Sequence, residues 1–194
     1  MLEQTQEAKI LDAAYAVIAR EGYTKTTLRQ IAQEAQVAVS QISYHYENKE
    51  GLLLAVARRV ANRYYDYMQS SLKPEMSPRE KGGCFIRLYQ EVLEDDPALF
   101  RVLYDLVGLA LWSEPVRCKV QEIFKGIVDQ ITHDVFTTEL MRDIGYRYSR
   151  ETLASLFFGG IFGIAVQALL EPNDKTYVKS LGALNVVFRE REVE

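Results

Sequence analysis

The segment Val39-Ser40-Gln41-Ile42-Ser43-Tyr44-His45 gathers six side chains suited to hydrogen bonding or methyl contact within two helical turns. Gln pairs naturally with adenine, Ser adapts to several bases, and Val meets a thymine methyl. Tyr44 and His45 are suited to phosphate oxygens, and Arg29 and Lys49 bring positive charge to the same stretch. That is chemistry for binding a duplex. Catalytic chemistry is harder to find. The chain has two histidines, His45 and His133, without Cys/His spacing for a metal. No glycine-rich phosphate loop follows a strand, and no nucleophile motif is present. The sequence therefore predicts no enzyme, no metal and no cofactor.

Side chains like these act only when a short helix holds them outward. The chain reads as helices throughout, without period-2 alternation between hairpin turns. A first segment, about 5–21, repeats Ile10, Ala14, Val17 and Ile18 on one face and stops at Gly22. A second opens on Thr27-Leu28-Arg29-Gln30, the pattern of a capping box, and carries Leu28, Ile31, Ala32 and Ala35. A third covers about 38–45. The link around Gln36-Val37-Ala38 is too short to lay the two helices flat, so they cross as a helix-turn-helix. Ile31, Ala32, Val37, Ile42 and Tyr46 then face inward. The plain alternative from spacing alone is an ordinary helical hairpin.

At these positions the chain resembles the N-terminal DNA-binding domain of the TetR (tetracycline-repressor) family. The resemblance rests on Ile10-Leu11-Asp12-Ala13-Ala14, Gly22-Tyr23, Thr26-Thr27-Leu28, Ile31-Ala32, Val37, Tyr44-His45-Tyr46 and Lys49-Glu50-Gly51-Leu52-Leu53. It implies that Thr27 and Arg29 touch DNA from the second helix. It implies that Val39, Ser40, Gln41 and Ser43 face base edges, and that Tyr44, His45 and Lys49 clamp phosphates. The chain departs from the family at Gln36, where glycine is usual, and at Ala38, where a capping residue is usual. The resemblance further implies a homodimer on a palindromic operator in double-stranded DNA, with a small-molecule effector bound in the body.

The remaining segments form that body. A fourth helix starts at Asn48 and runs to about Ser71, connecting a head at 1–50 to a ligand-binding and dimerisation domain at 51–194. Further segments open at Ser77-Pro78-Arg79-Glu80, Asp96-Pro97, Ser113-Glu114-Pro115 and Ser149, with Gly145 as a stop between the last two. A ninth runs from about Lys175 to Arg191. The fold class expected is all-α, about nine helices. The chain's net charge is −4, but residues 1–63 hold eight Lys/Arg against seven Asp/Glu. The acidity lies in the body, and a near-neutral head predicts few phosphate contacts and the need for two heads.

Segment six is apolar on nearly every side and aromatic residues crowd the body. Core packing is the default reading of those rings. The sharper one is a pocket for an apolar or aromatic molecule lined by Tyr89, Tyr104, Asp105, Val107, Trp112, Phe124, Phe158 and Phe162. Asp105 would balance a cation there, or else face solvent or pair with Arg101. Ala154 to Leu170 carries no charge and sits at the short limit of a membrane span. Its small residues favour a buried interface helix. Gly159, Gly163, Leu181, Leu184, Val187 and Phe188 are the expected dimer face, the alternative being packing within one subunit. Cys84 and Cys118 are expected to be buried thiols. The acidic start lacks a signal peptide's basic residues, so a cytoplasmic location is expected. The second functional reading is a helical dimer that binds a small molecule or protein and no DNA.

Overall fold

The computed structural model describes residues 5–144 and 147–188, which fall into two compact units, one built from the described residues up to 63 with 98–121, the other from 64–97 with the described residues from 122 on. Gly145, expected as a stop, lies outside the described residues.

In the first unit, α1 (Gln6–Glu21) begins at Thr5, whose hydroxyl accepts from the Ala8 amide at 3.2 Å. It ends at Gly22, which has φ +78° and donates to the Ile18 carbonyl at 2.8 Å. Glycine tolerates that φ without the steric cost a Cβ imposes. α2 (Leu28–Ala35) packs on α1, and α3 (Val39–Tyr46) packs on α2. α4 (Lys49–Ser71) starts under Asn48, whose side chain accepts from the Gly51 amide at 2.9 Å. Ile10, Val17, Ile31, Ile42, Leu52, Leu53 and Val56 are buried. Burying each such side chain contributes about 1.5–3 kcal/mol. α6 (Pro97–Ala110) buries Leu99, Phe100, Val102, Leu106 and Ala110 but leaves Gly108 open. After it, Leu111 and Trp112 stand exposed in a turn. α7 (Glu114–Asp134) divides its residues between the two units, as α4 does.

The second unit is held by aromatic contacts. α5 (Pro78–Asp95) opens on a complete capping box between Ser77 and Glu80, with Pro78 in the first turn. α8 (Thr138–Ile144) is separated from α7 by Val135-Phe136-Thr137, so one expected segment becomes two helices. α9 (Arg150–Leu170) is long and apolar enough, by length and composition, to cross a membrane. One side of it buries Leu153, Phe157, Phe158 and Ile161. The Arg150 side chain caps α7's end, donating to the Thr132 carbonyl at 2.9 Å and to that of Phe136. The expected ninth helix is instead a single turn, α10 (Thr176–Ser180), followed by a 3₁₀ helix over Leu181–Phe188. Phe188 explains its seat. The ring lies on Gly82, where an added Cβ would come within 2.6 Å, and 5.4 Å from Phe157. A Cβ at 82 would force the ring to shift. Cys84 is buried as expected, but Cys118 is exposed on α7.

Candidate nucleic-acid interface

The turn between α2 and α3 forms without the residues that usually make it cheap. Gln36 takes φ 57° and ψ 44°, a left-handed conformation that disfavours a side chain. The Val37 amide compensates by donating to the Ala32 carbonyl at 2.9 Å, closing the end of α2. Ala38 stands at the N-cap of α3 with extended backbone and makes no side-chain cap. At the other end of the motif Thr27 and Gln30 complete the capping box read from the sequence.

α3 divides cleanly into two faces. Ile42 is 0% exposed and Tyr46 is buried, with its hydroxyl donating to the Glu7 carbonyl at 3.2 Å. That bond ties α3 to the start of α1. On the opposite face Val39, Ser40, Ser43, Tyr44 and His45 are exposed and Gln41 is half-buried. Tyr44 is 83% exposed, its ring set edge-on to His45 at 5.2 Å. A large aromatic held this far into solvent gains nothing from the core. Thr27 and Arg29 are exposed beside this face, though the Thr27 hydroxyl also serves the cap. Ion pairing of Arg59 with Asp12 braces α4 against α1.

Lys49 is placed differently from the other phosphate candidates. It is half-buried, its Nζ donates to the Tyr23 carbonyl at 2.6 Å, and it lies 4.1 Å from the centre of the Tyr23 ring. Desolvation lowers its pKa from the usual lysine range. Tyr23 also donates its own amide to Asp105 Oδ2 on α6 at 2.7 Å. Near by in the same unit, Ser113 donates to Glu50 at 2.7 Å. The sequence reading found the polar face of α3 but missed the roles of Tyr23, Glu50 and Ser113. The signal available for Tyr23 was its neighbour Gly22, which marks a turn that something must hold.

The residues expected to line a ligand pocket are spread over both units, four in each. In the first unit Asp105 is engaged by the Tyr23 amide, Tyr104 stacks on Phe100 at 6.3 Å, Val107 is half-buried, and Trp112 is 88% exposed. In the second, Phe124, Phe158 and Phe162 form one cluster with centroids 5.1–6.0 Å apart. Tyr89 is buried beside Tyr64 at 6.1 Å, and burial pushes both hydroxyl pKa values up. Gln130 Oε1 is buried in this unit without a hydrogen-bond partner among the described residues. No group of three His, Cys, Asp or Glu that could hold a metal stands together among the described residues.

Of the expected dimer residues, Gly159 is exposed and Gly163 half-buried, with open space around both, and exposed Leu156 and Leu170 flank them along α9. Leu184 is half-buried against Gly160. Leu181 and Phe188 are buried within the second unit, the alternative placement of packing within one subunit. The Val187 side chain lies outside the described residues.

Residues 10–56 match the family model described as "Bacterial regulatory proteins, tetR family". Over 149 residues, 75% of this chain and 76% of the other, the sequence is 28% identical to the Fatty acid metabolism regulator protein of Bacillus subtilis. The fold matches the crystal structure of the B. subtilis regulator FadR in complex with stearoyl-CoA, with TM-score 0.78 and 23% identity over 93% of this chain and 96% of that one. It also matches a transcriptional regulator from Saccharomonospora viridis in complex with choline, with TM-score 0.82 and 20% identity over 93% of each chain.

Proposed function

We propose that this chain, whose residues 10–56 match the tetR family model, is a repressor that binds a palindromic operator as a homodimer and is released by a small apolar or aromatic molecule. The observation that carries the reading is the solvent face of α3. Five of its polar or methyl-bearing side chains stand in water while Ile42 and Tyr46 anchor the other face. Val39, Ser40, Gln41 and Ser43 are the proposed base readers, and Tyr44, His45 and Lys49 the phosphate contacts, with Thr27 and Arg29 beside them. A two-fold dimer would present two such helices about 34–36 Å apart, one turn of duplex. The open face of α9 around Gly159 and Gly163 is the proposed surface between subunits, since small residues permit close helix approach. Cytoplasmic location follows from this role.

The effector is proposed to sit among the aromatic residues of the second unit and to act by preferring one of two conformations, because only differential affinity shifts an equilibrium. A long-chain acyl-CoA is the first class to test, given the similarity to a fatty acid metabolism regulator. Selection of the purified chain on random-sequence duplex, followed by a salt series, tests the reading. An enriched palindrome whose binding falls steeply with salt supports it. No enrichment, with or without metabolite extract, overturns it. Stearoyl-CoA and choline are then titrated against the operator complex. Release by stearoyl-CoA alone supports an effector recognised through a long apolar chain, and release by choline alone replaces it with a cation.

A further inference from the structure

Within the first unit, one residue is held from two sides. The amide of Tyr23 donates to Asp105 on α6 at 2.7 Å, and its carbonyl accepts from Lys49, the first residue of α4, at 2.6 Å. The carboxylate accepts from an N–H and the ammonium donates to a carbonyl, so both bonds are charge-assisted. The lysine is further seated on the Tyr23 ring. The turn that carries these bonds runs from Gly22 at φ +78° to Thr26, whose buried hydroxyl donates to the Gly22 carbonyl at 2.8 Å. Immediately after it Thr27 starts α2. Asp105 Oδ2 also lies 3.6 Å from where a Gly22 Cβ would stand. The carboxylate thus sits over the hinge between α1 and the reading motif, and a second bond, Ser113 to Glu50, joins the same stretch of chain to α4.

We propose that Asp105 is a positioning residue for DNA binding: through the Tyr23 amide it fixes the turn that seats Lys49 and starts α2, so that the placement of α6 sets the operator affinity of α3. Asp105 touches no DNA in this account. The inference rests on the DNA-binding reading above and adds to it the residue through which a movement of α6 reaches the head.

The test compares wild type, Asp105→Ala and Asp105→Asn, each as the full chain. The measurements are operator affinity at a temperature where circular dichroism shows the chain folded, the thermal midpoint, and proton exchange at the Tyr23 amide. Asn keeps an accepting oxygen at the same position, and Ala removes it. Asp105→Ala is expected to weaken operator binding about tenfold, the size of effect lost with a hydrogen bond to a charged group, and to deprotect the Tyr23 amide. Asp105→Asn is expected to stay within about threefold, since a neutral acceptor retains part of such a bond. A merely structural role would lower the thermal midpoint of Asp105→Ala and leave the affinity of the folded protein unchanged; that result overturns the proposal. Equal losses in both variants also overturn it, because the accepting oxygen would then not be what matters. If Asp105→Ala does not fold, Asp105→Asn decides. Normal binding with a protected Tyr23 amide supports the proposal, and normal binding with a freely exchanging amide overturns it. A wild-type chain that enriches no duplex sinks the DNA-binding reading, and this inference with it. A wild type that binds while folded Asp105→Ala binds equally well sinks this inference alone.

Discussion

The two units solve opposite problems with similar helices. The first holds polar and aromatic side chains out in water along α3 and keeps them there with a few buried aliphatics, Ile31, Ile42 and Leu52 among them. The second packs a cluster of aromatic rings inward, where Phe136, Phe157 and Phe188 lie 5.4–6.1 Å apart and all three are buried. An aromatic ring therefore means different things in the two places. Tyr44 in solvent gains no burial energy, and the proposed phosphate contact is what would employ it. Phe157 in the core accounts for itself by packing.

That contrast is broken most directly in the second unit. Phe157→Ala removes a fully buried ring that contacts both Phe136 and Phe188, and should destabilise that unit by about 3–5 kcal/mol. Urea unfolding monitored by circular dichroism checks it. A loss below about 1 kcal/mol would mean that the cluster is loosely packed and that its rings are available to line a cavity.

The same operation on the inner face of the reading helix should cost somewhat less. Ile42→Ala leaves a hole under α3 and should destabilise the first unit by about 2–5 kcal/mol. Operator binding should fall with it because α3 loses its seat. On the outer face the ledger reverses. Tyr44→Ala should leave the unfolding midpoint unchanged and weaken binding to every duplex, at a cost of roughly 1.5–3 kcal/mol if the hydroxyl bonds a charged phosphate oxygen. Gln41→Ala should instead relax preference at particular bases by about 1–3 kcal/mol of discrimination. Affinity measured on the selected operator and on single-base variants separates the two. If Tyr44→Ala and Gln41→Ala produce the same profile, the division into phosphate and base contacts is wrong.

What the sequence made legible follows the same division. Local rules were enough for the starts of α2, α5 and α9, because Thr27, Ser77 and Ser149 each bond an amide three residues on, a partner fixed by chain spacing. The inward positions Ile31, Ala32 and Ile42 were readable from helical period alone. The contacts of Tyr23 were not. Its amide meets Asp105, 82 residues away, and no periodicity announces a partner at that distance. Asp105 looked like a lone charge on an apolar helix, and the sequence left its partner open. Leu181 and Phe188 had the spacing of an exposed apolar face, but the chain there tightens to a 3₁₀ helix with three residues per turn. That changes which side chains point inward, and Gly82 supplies the hollow that captures Phe188. The interior of the second unit was legible as aromatic, but which rings meet was decided by packing.

The smallest expected effect concerns the turn itself, where the chain departs from the family it resembles. Gln36 holds φ 57° without a glycine's freedom, and Ala38 occupies an N-cap with φ −72° and ψ 146°, the backbone a capping side chain needs. Ala38→Ser should therefore add the missing bond to an amide of the first turn of α3 and stabilise the unit by about 1 kcal/mol. Gln36→Gly should relieve about 1 kcal/mol of left-handed strain, partly offset by the greater freedom of glycine in the unfolded chain. Differential scanning calorimetry on the two single variants and the double variant resolves gains of this size. If both stabilise and operator affinity is unchanged, the turn is only locally strained and the pose of α3 is already set by Ile42 and Tyr46. If either one raises stability and lowers affinity, the strained turn itself tilts the outer face, and the departure at Gln36 and Ala38 belongs to recognition rather than to drift.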